Sequence, residues 1–224
     1  MSKNIAIILA GGRGDRFGQD VPKQFQLLNG KKIIDYSIKT FENHNLINKI
    51  IIVCHKDWVH IIQDEYKDCC VITGGLTRQE SSYKGLLACT ENPENVLIHD
   101  AARPFITNDM ISNSIDLLNK YEAINTCIKA TDTVIVRKNN FIESVLNRES
   151  IFLSQTPQAF KYRTILKAHK KFKGEDASDD IQLVNKMNIN CYNTIGSKYN
   201  IKITDKLDLT IAEIIINNKI LEEV

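Results

Sequence analysis

Strand-sized runs of branched residues alternate with stretches of helical periodicity along most of this chain, and that alternation constrains the fold more than any other feature. Residues 5–10 (IAIILA), 47–54, 69–73, 95–100 and 123–130 read as strands. Residues 33–43, 58–66, 78–90 and 108–121 read as helices, the last with Asn108 as its cap. Repeated β-then-α order with short connections predicts an α/β fold, a Rossmann-like three-layer sandwich with a mainly parallel central sheet. Ligands of such sheets sit at the carboxyl ends of the strands. The loop after Ala10 and the acid Asp100 both fall there.

The pattern changes over residues 131–160. Two short β-rich runs flank a polar RKNN turn, which predicts an extended β-hairpin arm. A helix over 162–172, a strand at NIKIT (200–204) and a last helix starting near Asp205 complete the chain. With no repeat, low-complexity tract or linker, residues 1–224 are expected to form one domain, with 131–160 as its arm.

Twenty-nine basic against 27 acidic residues give a net charge of +2. That balance gives no reason to expect a nucleic-acid partner. The apolar runs are too short to span a membrane, and no signal-peptide pattern opens the chain, so a cytoplasmic protein is expected. Cys54, Cys69, Cys70, Cys89, Cys127 and Cys191 form no C-x-x-C pair and read as reduced thiols. The five histidines lack metal-ligand spacing, and most are expected on the surface or on helix faces.

The stretch LAGGRGDRFG fits neither common phosphate loop. A Rossmann fingerprint would need its third glycine at Phe17, and a Walker loop would need lysine at Gln19. Four glycines and two arginines within eight residues still suit an anion: glycine lets backbone N–H groups approach it, and Arg13 or Arg16 adds charge-assisted bonds. Lys23, after a proline, supplies a further point charge. A triphosphate suits that many positive groups.

HDAARPF (99–105) places Asp100 at a strand end, where a carboxylate can hold Mg²⁺. The other reading is a helix cap paired with Arg103. In NIKIT, alternation turns Lys202 away from the face of Ile201 and Ile203, leaving either a site lysine or an exposed edge lysine. In ASDDIQLV, Asp179 and Asp180 read first as a helix start, with a metal or ribose contact as the other role.

LAGGRGDRFG with PKQF, HDAARPF, ATDTV, QTPQAF, SDDIQLV and NIKITDKLDLTIAE follow one another over nearly the whole chain. In that order they resemble the cytidylyltransferases that make CDP-2-C-methylerythritol, whose relatives make CDP-ribitol. The resemblance implies that CTP and a polyol phosphate give a CDP-polyol and pyrophosphate, with Mg²⁺ as cofactor and no covalent enzyme intermediate. It implies that Ala10, Gly11, Gly12, Gly14, Gly75 and Ser81 bind nucleotide. Arg16 and Lys23 would grip the triphosphate, Lys202 would stabilise the attacked α-phosphate and Asp100 would hold the metal. Arg103, Thr133 and Arg148 match acceptor-side positions. Thr133 and Arg148 would reach the partner's site, which implies a homodimer with exchanged arms.

Two features lean toward the ribitol relatives: Gly11, where methylerythritol members usually carry alanine, and Tyr199, where they often carry an acid. HDAARP and SDDIQLV lean toward 2-C-methyl-D-erythritol 4-phosphate, the favoured acceptor, with D-ribitol 5-phosphate as the alternative. A catalytically silent nucleotide-binding domain is the remaining rival.

Overall fold

The computed structural model describes residues 3–12, 21–90, 92–175 and 177–220. In chain order the elements are β1 (Asn4–Ala10), β2 (Leu27–Leu28), β3 (Lys31–Lys32), α1 (Ile33–Glu42), β4 (Lys49–Cys54), α2 (Val59–Glu65), β5 (Cys70–Thr73), α3 (Arg78–Leu87) and β6 (Asn95–Asp100). There follow α4 (Asn108–Leu117), β7 (Ala123–Lys129), β8 (Ile135–Lys138), β9 (Phe141–Val145), β10 (Phe152–Lys161), α5 (Tyr162–Lys171), α6 (Asp180–Asn185), β11 (Tyr192–Ile195) and α7 (Lys206–Asn217).

Seven strands form one sheet in the order β11-β7-β10-β6-β1-β4-β5. All neighbours are parallel except β10, which runs antiparallel to both β6 and β7. From β1 the chain steps outward to β4 and β5, then returns to lay β6 on the opposite side of β1. The strand order therefore reverses beside β1, and a crevice opens at the carboxyl ends of β1 and β6.

Alternation along the buried strands feeds two cores. Ala6, Ile8, Ile50 and Ile52 pack with α1, α2 and α4 through Ile34, Phe41, Ile62 and Ile111. Ile5, Ile7, Ile51 and Val53 pack on the other face with α3, α5 and α6 through Leu86, Ile165 and Leu183. The α3 contact is close: a Cβ added to Gly85 would lie 2.5 Å from Ile7 Cγ2. A third cluster joins α7 to Leu28, Phe105 and Ile203.

Several details differ from the sequence expectation. The hairpin consists of β8 and β9 alone, whereas β10, the end of the 131–160 stretch, lies inside the main sheet. Helix α4 is capped by Thr107, whose side chain accepts from Met110 N, so Asn108 is already helical. Residues 201–204 form no strand ladder; Ile203 N donates to Ala102 O, and Ile203 is buried while Lys202 faces out. Three of the five histidines, His44, His99 and His169, are buried. Their ring nitrogens find partners inside: Ser112 for His44, Thr156 and the Arg103 carbonyl for His99, Asp180 for His169. The six cysteines are free thiols, four of them buried. No helix among the described residues is long and apolar enough to cross a membrane.

Candidate active site

The crevice beside β1 holds a cavity of about 260 Å³ lined by Gly11, Gly12, Lys23, Gly75, Ser81, Asp100 and Lys202, among others. A second cavity of about 150 Å³ adjoins it, lined by Arg103, Ser154, Gln155, Gln158 and Asp179. Arg78, Asp100 and Lys202 line both. Three larger cavities, about 540, 600 and 270 Å³, contain none of the candidate site residues. Chemistry rather than volume therefore selects the crevice.

The floor of the crevice is a chain of charges. Asp100 Oδ2 accepts from Lys202 Nζ at 2.7 Å, and Asp100 Oδ1 accepts from Arg78 Nε at 3.3 Å. Arg78 Nη1 donates to Asp180 Oδ2 at 2.6 Å. Burial by itself would raise the Asp100 carboxyl, but Arg78 and then Lys202 outweigh it and hold the group well below the usual carboxylate range. Burial opposes the charge on Arg78, yet Asp180 and Asp100 hold its pKa above the ordinary value. Asp100 is thus an ionised carboxylate in a buried place. Its partners are Arg78 and Lys202 rather than the Arg103 of the cap reading; Arg103 donates its Nη1 to Asn200 O at 2.7 Å.

The first wall follows β1. Gln24, from the PKQF stretch, donates Nε2 to Ala10 O at 2.6 Å and to Gly12 O at 2.9 Å, and so pins the start of the glycine loop. Gly14 and Arg16 lie outside the described residues. Lys23 lines the same cavity. Opposite stands the turn before α3. Ser81 Oγ accepts from Gly75 N at 3.0 Å and donates to Thr77 O at 2.9 Å, tying the turn to the helix. A Cβ on Gly75 would lie 2.2 Å from Glu80 Cβ, so the close turn requires glycine.

Thr133 and Arg148 line neither cavity. Both are exposed near the base of the hairpin, where Arg148 Nη1 donates to Thr131 O at 3.3 Å. Sequence reasoning did not single out Arg78 or Gln24 for the site. Arg78 stands inside GGLTRQES, but its ion pairs come from Asp100 and Asp180, 22 and 102 positions away. Asp179 caps α6 by accepting from Gln182 N, as its first reading had it. Asp180 turns inward and is buried.

The chain that builds this cleft matches a known family. A family model described as IspD, 2-C-methyl-D-erythritol 4-phosphate cytidylyltransferase, covers residues 4–218. The chain belongs to the IspD family. It is 39% identical over 222 residues to the 2-C-methyl-D-erythritol 4-phosphate cytidylyltransferase of Clostridium botulinum (strain 657 / Type Ba4), covering 95% of this chain and 97% of that one. The structure resembles that of 4-diphosphocytidyl-2C-methyl-D-erythritol synthase from Anaerococcus prevotii, with a TM-score of 0.87, 28% identity and 96% of each chain covered. It also resembles the Francisella tularensis cytidylyltransferase, with a TM-score of 0.82, 31% identity and coverage of 94% of this chain and 98% of that one.

IspD membership makes the chain a nucleotidyltransferase and favours the methylerythritol lineage over the ribitol one. The Gly11 departure carries little steric weight. A Cβ there would meet Ser81 Oγ at 3.4 Å, an ordinary contact, so alanine and glycine both fit. Tyr199 packs beside the α7 cluster, with Lys198 Nζ 5.0 Å from its ring centre.

Proposed function

We propose that the chain transfers the cytidylyl group of CTP to 2-C-methyl-D-erythritol 4-phosphate, with the two adjoining cavities as nucleotide and acceptor lobes. One observation carries this reading: Arg78, Asp100 and Lys202 line both lobes, so the two phosphates would meet over one charged floor. A phosphate oxygen of the acceptor attacks the α-phosphorus of CTP. The bond from that phosphorus to the bridging oxygen of the β-phosphate breaks, and pyrophosphate leaves with its electron pair. No side-chain nucleophile is needed, so catalysis consists of alignment and neutralisation of charge.

Backbone groups of Ala10, Gly11, Gly12 and Gly14 surround the nucleotide, and Gly75 and Ser81 hold its base and ribose. Lys23 and Arg16 hold the triphosphate. Lys202, whose side chain is 40% exposed, follows the α-phosphate as charge develops there. Arg103 faces the acceptor lobe; its Nε is buried without a hydrogen-bond partner and can meet an acceptor oxygen.

The donor set fits Mg²⁺ carried on the triphosphate. Among the described residues no group of three or more His, Cys, Asp or Glu side chains could hold a metal. One ionised carboxylate at the floor, Asp100, remains, and Mg²⁺ is commonly held by one or two carboxylates plus substrate phosphates. When bound there, the ion would neutralise phosphate charge.

The arm supports a homodimer. Strands β8 and β9 are exposed throughout, and Ile135, Phe141, Ile142 and Val145 present apolar surface. Thr133 and Arg148 at the hairpin base would complete the acceptor lobe of a second copy. The test is phosphorus NMR of CTP incubated with 2-C-methyl-D-erythritol 4-phosphate. Equal appearance of a CDP-polyol and pyrophosphate is expected; CTP left intact would overturn the reading.

A further inference from the structure

Asp180 opens α6 and is 1% exposed, far enough inside to touch neither substrate lobe. It nevertheless has a full set of partners. Its Oδ1 accepts from Ser82 Oγ at 2.6 Å and lies 2.8 Å from His169 Nε2; its Oδ2 accepts from Arg78 Nη1 at 2.6 Å; its own N–H donates to Gln158 Oε1 at 3.1 Å. His169 is fixed in turn by a parallel stack on Tyr83, with ring centres 5.7 Å apart. Helices α3 and α5 thus converge on the carboxylate, and β10 holds the backbone of the same residue.

The contact to Arg78 leads to the site. The planar guanidinium of Arg78 is held at both ends, Nη1 by Asp180 and Nε by Asp100, and a lysine could not bridge the two in that way. The remaining nitrogen, Nη2, is buried and has no hydrogen-bond partner. A buried ion pair contributes little net stability compared with an apolar replacement, so stability alone gives weak reason for one here. What it does supply is a fixed orientation.

We propose that Asp180 is a positioning residue for the transfer: anchored by Ser82 and His169, it fixes the Arg78 guanidinium and, through it, the Asp100 carboxylate at the junction of the two lobes. The inference rests on the transfer reading above for its kinetic arm only. In protein carrying isotope-labelled arginine, the Arg78 Nε–H signal, assigned by its loss in Arg78→Lys, is expected to exchange slowly with water. In Asp180→Asn it is expected to exchange at least ~10-fold faster.

In turnover, Asp180→Asn and Arg78→Gln are each expected to lower kcat about 100-fold, the scale of a small misplacement of reacting groups. The double variant should be no worse than the weaker single to within about threefold, because both changes break one device. Ser82→Ala keeps both charges and the fold and should cost about threefold to tenfold. Multiplying losses in the double variant, or unchanged Arg78 exchange in Asp180→Asn, would overturn the proposal. If the wild-type protein turns over no polyol phosphate, the transfer reading fails, and the Arg78 exchange rate still decides the positioning.

Discussion

Lys202 Nζ lies 2.7 Å from Asp100 Oδ2, although the two residues are 102 positions apart in the chain. The contact closes the crevice floor between the end of β6 and the extended segment before α7. Under the proposed transfer, substrate phosphates would reorganise this pairing. A lysine so placed can leave the carboxylate for an incoming phosphate while a second cation, Arg78, stays behind.

Lys202→Ala and Lys23→Ala are each expected to lower kcat by at least about 100-fold, the loss typical of one group that stabilises transition-state charge. Steady-state kinetics with CTP varied would show it. Unchanged turnover in either variant would remove that lysine from the catalytic group.

Gln24→Ala removes both side-chain bonds that hold the Ala10 and Gly12 carbonyls. The fold should survive, since Gln24 contributes no apolar packing to the core clusters. The KM for CTP is expected to rise about tenfold, the effect of losing one to two hydrogen bonds that preorganise a binding loop. Calorimetric titration of CTP checks this; an unchanged affinity would contradict it.

The Asp180 carboxyl is lowered to about 2: burial would raise it, but Arg78 and the His169 bond prevail. The folded-state pKa lies below the ordinary aspartate value, so the unfolded chain binds the extra proton as the pH falls. The contribution is fully present above about pH 4 and is lost as the pH drops through about 2. Denaturant unfolding of Asp180→Asn should therefore lose less stability than the wild type between those values. Parallel curves would contradict the assignment.

Strands β1, β4 and β6 and helices α1 and α3 were legible because burial imposes their periodicity on the sequence. Strand β10 was not. Pro157 argues against a strand inside a sheet, because it cannot donate to the ladder. Here it sits where the pairing with β7 shifts register, between Ser154 and Gln158, and so is accommodated. Strand β11 has four residues and two exposed faces, too little pattern to register. At the site, the glycine loop, Asp100 and Lys202 could be singled out because each stands against an apolar run. Arg78 and Asp180 could not be paired, since only the fold brings α3 against α6. The burial of His99 and His169 was not legible either, because a polar side chain in a sequence does not reveal the partner that satisfies it inside.

Arg148 gives a test of the arm. If it serves the partner's acceptor lobe, Arg148→Ala and Lys202→Ala homodimers should both be slow. Mixing them should restore up to about a quarter of wild-type activity, through heterodimers with one intact site among two. Sedimentation of a fully active monomer would refute the shared site.

The most direct test of the central claim is kcat/KM measured by pyrophosphate release from CTP with 2-C-methyl-D-erythritol 4-phosphate and with D-ribitol 5-phosphate in parallel. A preference of at least about 100-fold for the methylerythritol substrate is expected, the discrimination of a lobe built to hydrogen-bond one polyol. Equal efficiency, or a preference for ribitol 5-phosphate, would contradict it.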